Sequence, residues 1–115
     1  MIDVSILRRP SEDRVRNIPM YGGEASVDVL YCGREEMNRI RQTAADLIKG
    51  GMTSEDAHNA AWGRVALIGF TGFCDEGVVL KVSDEARDLL MLGSSEVRTT
   101  VIQGASSLKA NTEKN

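Results

Sequence analysis

A chain of 115 residues with 42% apolar side chains is large enough for one domain with one core, since a domain of this size removes roughly two-thirds of its unfolded surface from water. Aromatic residues are only 4% of the chain, so the core rests on Val, Leu, Ile, Ala and Met. The exposed rings on which single-stranded nucleic acids stack are scarce. Seventeen acidic against fourteen basic residues give a net charge of -3 and a pI near 5.1, which argues against a phosphate backbone as the main partner.

In chain order, Asp3-Val4-Ser5-Ile6-Leu7-Arg8 predicts a short first strand ended by Arg9-Pro10, and Pro10-Ser11-Glu12-Asp13 predicts a turn. Residues 14–32 predict a β-hairpin. Gly22-Gly23 tolerates the positive φ of a tight turn, and as a two-residue loop it would set Met20 opposite Ala25 and Ile18 opposite Val27. Pro19 has no N–H for a ladder, which places the first arm at a sheet edge. The alternation Ser26-Val27-Asp28-Val29 leaves one face of the sheet wet.

Four helices are predicted after the hairpin. The first spans about Arg34 to Lys49, with Gly50-Gly51 as its stop and Met37, Ile40, Ala44, Leu47 and Ile48 forming one apolar stripe. The second starts at a Thr53 N-cap followed by Glu55 and Asp56, and its apolar spacing runs through Trp62, Val65 and Ile68 to about Gly69. Gly63 inside it costs about 1 kcal/mol relative to Ala and signals a bend or another backbone close by. The Gly72 to Gly77 segment reads as turn chemistry, with a short apolar strand-like piece at Val78-Val79-Leu80. The third helix spans Asp84 to Leu92 behind a Ser83 cap. The fourth begins near Ser94-Ser95-Glu96 and carries Val97, Val101, Ala105 and Leu108. Residues 109–115 lack periodicity and are expected to form a disordered tail. The expected class is α+β, a single domain over 1–108: a small antiparallel sheet in 1–32 and a helical part in 33–108.

Nothing in this pattern carries a chemistry. His58, the single histidine, precedes Trp62 by one helical turn, and only Glu55 and Asp56 are local partners for a general base; a structural histidine explains it as well. Cys74 lies beside Asp75 and Glu76, whose negative charge repels the thiolate that a nucleophile needs. Cys32 and Cys74 form no CxxC pair, and with one histidine they supply no four-ligand zinc site. Both read as free, mostly buried thiols of a reducing compartment. Asp75-Glu76-Gly77 lacks the spaced ligands of a calcium loop. Gly69, Gly72 and Gly77 follow a helix, where a phosphate cradle would open one. Arg14, Arg16, Arg34, Arg39 and Arg41 form a loose basic cluster that reads as solvated surface. Residues 34–69 could be cast as a helix-turn-helix, with an alanine-rich second helix that offers little to read bases. No catalytic residue, cofactor or metal is expected. No run approaches the ~20 apolar residues of a membrane span, and no apolar leader segment follows Arg8-Arg9; a cytoplasmic setting is expected.

The order of elements, together with Val65-x-Leu67-Ile68-Gly69-Phe70-x-Gly72-Phe73-x-Asp75-Glu76-Gly77, then Val82-Ser83-x-Glu85 and a helix with Leu89-Leu90, resembles the small tail assembly chaperones of long-tailed phages and prophages. The likeness covers about residues 14–115 and is concentrated in 65–92. The acidic turn is shorter than in that family, and Gly93-Ser94-Ser95 stands where a more hydrophobic link is usual. The resemblance implies a non-enzymatic protein in the host cytoplasm that binds the tape measure protein, keeps its apolar helices soluble and recruits tail tube subunits. It also implies that a longer, frameshifted form could exist.

A chaperone of this kind should expose apolar surface unless it self-associates. The candidates are the Val97-Val101-Leu108 stripe and the Phe70-Phe73 corner, each of which reads first as core. Two other readings stay open: a structural tail protein, such as a terminator or tube-associated subunit, and a small DNA-binding regulator using the arginine cluster.

Overall fold

The computed structural model describes residues 14–106. The expected strand at 3–8, the turn at 10–13, Leu108 and the tail at 109–115 lie outside the described residues. The elements run β1 (Val15–Met20), β2 (Ala25–Leu30), α1 (Arg34–Lys49), α2 (Ser54–Ala66), β3 (Leu67–Thr71), β4 (Cys74–Asp75), β5 (Val78–Val79), α3 (Asp84–Gly93) and α4 (Ser95–Ser106). The class is α+β, a small antiparallel sheet followed by helices.

The β1–β2 hairpin has the register that its turn residues dictate, with Ile18 opposite Val27 and Met20 opposite Ala25. Tyr21, Gly22 and Gly23 all take positive φ, and the Glu24 amide closes the turn on the Tyr21 carbonyl at 3.2 Å. β1 forms an edge of the three-stranded sheet, which accommodates Pro19. Val27 and Val29 face the core. On the opposite face Asn17 Nδ2 donates to Ser26 Oγ (3.1 Å) and Asp28 Oδ1 (2.8 Å), and Ser26 Oγ meets Thr71 Oγ1 at 2.9 Å. That polar ladder is the wet face read from the alternation.

One element departs from the sequence reading. Helix α2 stops at Ala66, and Leu67 to Gly69, expected to extend it, instead join Phe70 and Thr71 in β3 against β2. A two-stranded hairpin is marginal by itself, and β2 has a second edge to satisfy; pairing there outweighs three more residues of helix. Inward-facing Leu67 and Phe70 are buried, whereas Ile68 is a bulge: Asp28 pairs with Gly69 and Val29 with Leu67, which leaves Ile68 without an opposite residue. Arg87 of α3 secures the junction, its Nε donating to the Leu67 carbonyl (2.6 Å) and its Nη2 to the Ile68 carbonyl (3.2 Å).

Helix α2 is the centre of the molecule. It packs against α1, α3, α4, β3 and β2, and Ala57, Ala60, Ala61, Gly63, Val65 and Ala66 are all buried. Small side chains let several elements approach one helix. Thr53 caps it, its hydroxyl accepting from the Asp56 amide at 3.2 Å. Gly63 receives a side chain: a Cβ there would lie 2.4 Å from Met91 Cγ, and Met91 is fully buried. The expectation of a bend or a second backbone at Gly63 is corrected: what approaches is the Met91 side chain from α3. Helix α4 closes the other side, with Val97, Val101 and Ala105 buried, Gly104 against Ile18 and Val29, and the Cys32 amide donating to the Ala105 carbonyl at 2.8 Å.

Gly63→Ala tests this packing. Helix propensity alone would favour Ala by about 1 kcal/mol, but the clash with Met91 is expected to reverse the sign and lower stability by about 1–3 kcal/mol in urea unfolding. Met91→Ala, destabilising alone, should cost less in the Gly63→Ala background. A more stable Gly63→Ala protein would contradict the packing.

Candidate docking surface

The residues singled out for chemistry are dispersed. His58 is exposed near the start of α2; its Nδ1 donates to the Ser54 carbonyl one turn back at 2.7 Å, and Glu55 and Asp56 are not among its hydrogen-bond partners. Trp62 is half-buried against the core. Among the described residues no three His, Cys, Asp or Glu side chains gather as metal ligands. Cys32 and Cys74 are both free. Cys32 is buried, and burial, reinforced by the Glu36 charge, pushes its thiol up to about 11. Cys74 departs from expectation in being exposed.

The arginine cluster is also divided. Arg14 pairs with Glu36 and donates from Nη2 to the Tyr31 carbonyl at 3.0 Å, closing the base of the hairpin onto α1. Arg34, Arg39 and Arg41 are exposed along α1. Glu36, in the first turn of α1, also accepts from the Gly33 amide at 2.7 Å. Burial raises its carboxyl, but the Gly33 N–H and the Arg14 charge outweigh that and hold it below the ordinary value of 4.5. The helix-turn-helix reading has no reading helix: α2 is enclosed beyond its first turn, and the exposed first turn bears Glu55 and Asp56, which repel phosphate.

Among the described residues, neither expected apolar surface is open. Val97 and Val101 are fully buried, Phe70 is buried, and Phe73 is half-buried against the core. Phe73 stacks edge-on with Phe70 (6.0 Å between centroids) and Tyr21 (6.2 Å), and the Tyr21 hydroxyl meets Ser94 Oγ at 2.8 Å. This corner is a joint between the first hairpin, β3 and the start of α4.

What the joint supports is the exposed apolar surface. From Phe73 the chain enters the β4–β5 hairpin, whose turn residues Glu76 and Gly77 both have positive φ, as a tight two-residue turn requires. The Leu80 amide bonds back to the Phe73 carbonyl at 2.9 Å. Val78 and Val79 are then 69% and 73% exposed. Val82 and, on α3, Leu89 and Leu92 are also exposed, while Leu90 and Met91 point into the core. A shallow groove of about 280 Å3 runs between the hairpin and α3, lined by Val79, Leu80, Ala86 and Leu89 together with Asp75, Lys81, Ser83 and Glu85. Its size falls just below the ~300–1,000 Å3 range of small-molecule sites, and its lining, half apolar and half polar, suits side chains of a protein partner. Scattered exposed apolar residues are ordinary, but Val79 and Leu89 line the same groove. The sequence did not mark this surface: Leu89-Leu90 drew notice only through the family resemblance.

The chain matches no protein-family model, no curated protein and no solved structure.

In the native protein Cys74 is expected to react with a thiol reagent at neutral pH and Cys32 only after unfolding; equal rates would contradict the burial of Cys32. Glu36→Gln is expected to lower stability by about 1–2 kcal/mol at pH 7 through the lost charge-assisted hydrogen bonds. Because the folded carboxyl titrates below its unfolded value, its contribution is full above about pH 4.5 and disappears as pH falls through the folded value. The two proteins should therefore converge in stability in acid, as followed by urea unfolding across pH.

Proposed function

We propose that this protein is a non-enzymatic assembly chaperone of the phage tail type, acting in the host cytoplasm. It holds an apolar helical segment of a long tail protein, the tape measure, in soluble form and brings tail tube subunits to it. The observation that carries the reading is the pair of exposed apolar side chains, Val79 of β5 and Leu89 of α3, that meet across one open groove beside a braced hairpin. The likeness of residues 65–92 to that family points the same way, because the motif residues build this part of the molecule. Val65, Leu67, Phe70 and Phe73 supply the support, Asp75 to Gly77 the turn, and Leu89 the outward face. Reversible burial of apolar side chains, about 1.5–3 kcal/mol for each fully covered Val or Leu, is sufficient for a partner that must later be released.

The test is co-expression with the protein encoded immediately downstream, followed by pull-down through a tag at residue 1. A soluble complex, when the downstream protein alone is insoluble, is expected. Val79→Glu with Leu89→Glu should abolish it while leaving stability within about 0.5 kcal/mol, because both side chains are exposed. Absence of a complex, with this chain instead found as a stoichiometric component of finished particles, would replace the chaperone reading with that of a structural tail subunit.

A further inference from the structure

We infer that the groove between the β4–β5 hairpin and α3 selects a basic amphipathic helix, one whose apolar stripe is bordered by Lys or Arg. The inference rests on the docking function proposed above and adds the chemistry of the occupant. The charges around the groove carry it. Asp75 and Glu85 line the groove together with Val79 and Leu89, Glu76 follows Asp75 in the hairpin turn, and none of the three acids has an ion-pair partner among the described residues. Other acids of this region are already matched: Asp84 is bound by Arg87 Nη1 at 3.0 Å, and Asp88 by Arg64 through Nε (3.0 Å) and Nη2 (2.6 Å). Lys81 is the single ammonium lining the groove. The groove thus sets four apolar residues beside two carboxylates and one ammonium, a negative excess. An apolar helix bordered by carboxylates would set like charges against each other on docking, and an anionic lipid surface or nucleic acid would be repelled as well.

The shape indicates a helix. Glu85, Leu89 and Leu92 recur at steps of four and three along the exposed face of α3, the spacing of a ridge that packs beside the ridge of a second helix. Val79 forms the opposite wall. A helix between these walls places residues at i, i+3, i+4 and i+7 on the floor, and long Lys or Arg side chains at its flanks reach Asp75 on one side and Glu85 on the other.

Two synthetic helical peptides with an identical Leu/Val stripe, one flanked by Lys and the other by Glu, test this against the full chain by fluorescence anisotropy. The Lys-flanked peptide is expected to bind at least tenfold more tightly, with the difference shrinking as salt is raised from about 0.05 to 0.5 M. Asp75→Lys with Glu85→Lys should reverse the preference, and circular dichroism should show the variant folded, since both sites are exposed. Equal affinity of the two peptides, or binding of neither, overturns the inference. If the downstream protein still co-purifies with the Asp75→Lys/Glu85→Lys variant at wild-type yield, the chaperone function stands and the acidic selection falls. If the chain alone forms a dimer in light scattering that Val79→Glu dissociates, the face belongs to a second copy and the inference is likewise overturned.

Discussion

The meeting of Gly63 with Met91 is the contact on which the arrangement of helices depends. Helix α2 must touch three other helices and the sheet, and a helix surrounded on so many sides has no room for large side chains. Its alanines bring the neighbours in, and the missing Cβ of Gly63 leaves the depression that Met91 fills. Met91 in turn fixes the rotation of α3. With Met91 and Leu90 inward, Leu89 is directed outward, so the character of the exposed face is determined by a packing contact on the far side of the helix.

Arginine does much of the joining between elements. Arg87 satisfies two carbonyls where α2 gives way to β3, Arg98 Nη1 donates to the Met91 carbonyl at 3.0 Å near the end of α3, and Arg64 grips Asp88 with two hydrogen bonds. Terminal helical carbonyls need such donors because no amide of the next turn follows them. Guanidinium is well suited to these junctions, since it forks, stays charged and keeps its charge partly hydrated while its stem covers apolar surface. These arginines are structural in effect, which leaves the acidic groups around the β4–β5 hairpin as the less compensated charge on that side of the molecule.

The hairpin itself would be too small to hold a shape alone. Its anchor is the edge-on contact of Phe73 with Phe70 and Tyr21, together with Gly72, where any side chain would strike the Glu24 carbonyl at 2.2 Å. Tyr21 accepts a positive φ within that joint. The exposed valines are therefore presented by a braced segment, a geometry that lowers the ordering cost of binding.

Features that arise within a few residues of one another were legible in the chain alone. The Gly22-Gly23 turn and the register of the first hairpin, the Thr53 and Ser83 caps, the edge position required by Pro19 and the limits of α1 all follow from sterics, capping and periodicity, which act locally. Three other matters were settled by contacts between distant segments. Leu67 to Thr71 became a strand because the open edge of β2, far away in the chain, offered partners that outweighed a helical period. Phe70 and Phe73, apolar enough for a docking corner, became a joint because Tyr21 and the core cover them. Val78, Val79 and Leu89 became the outer surface because Met91 and Phe73 claimed the inside. Burial is a property of which elements meet, and no window of local sequence contains that information.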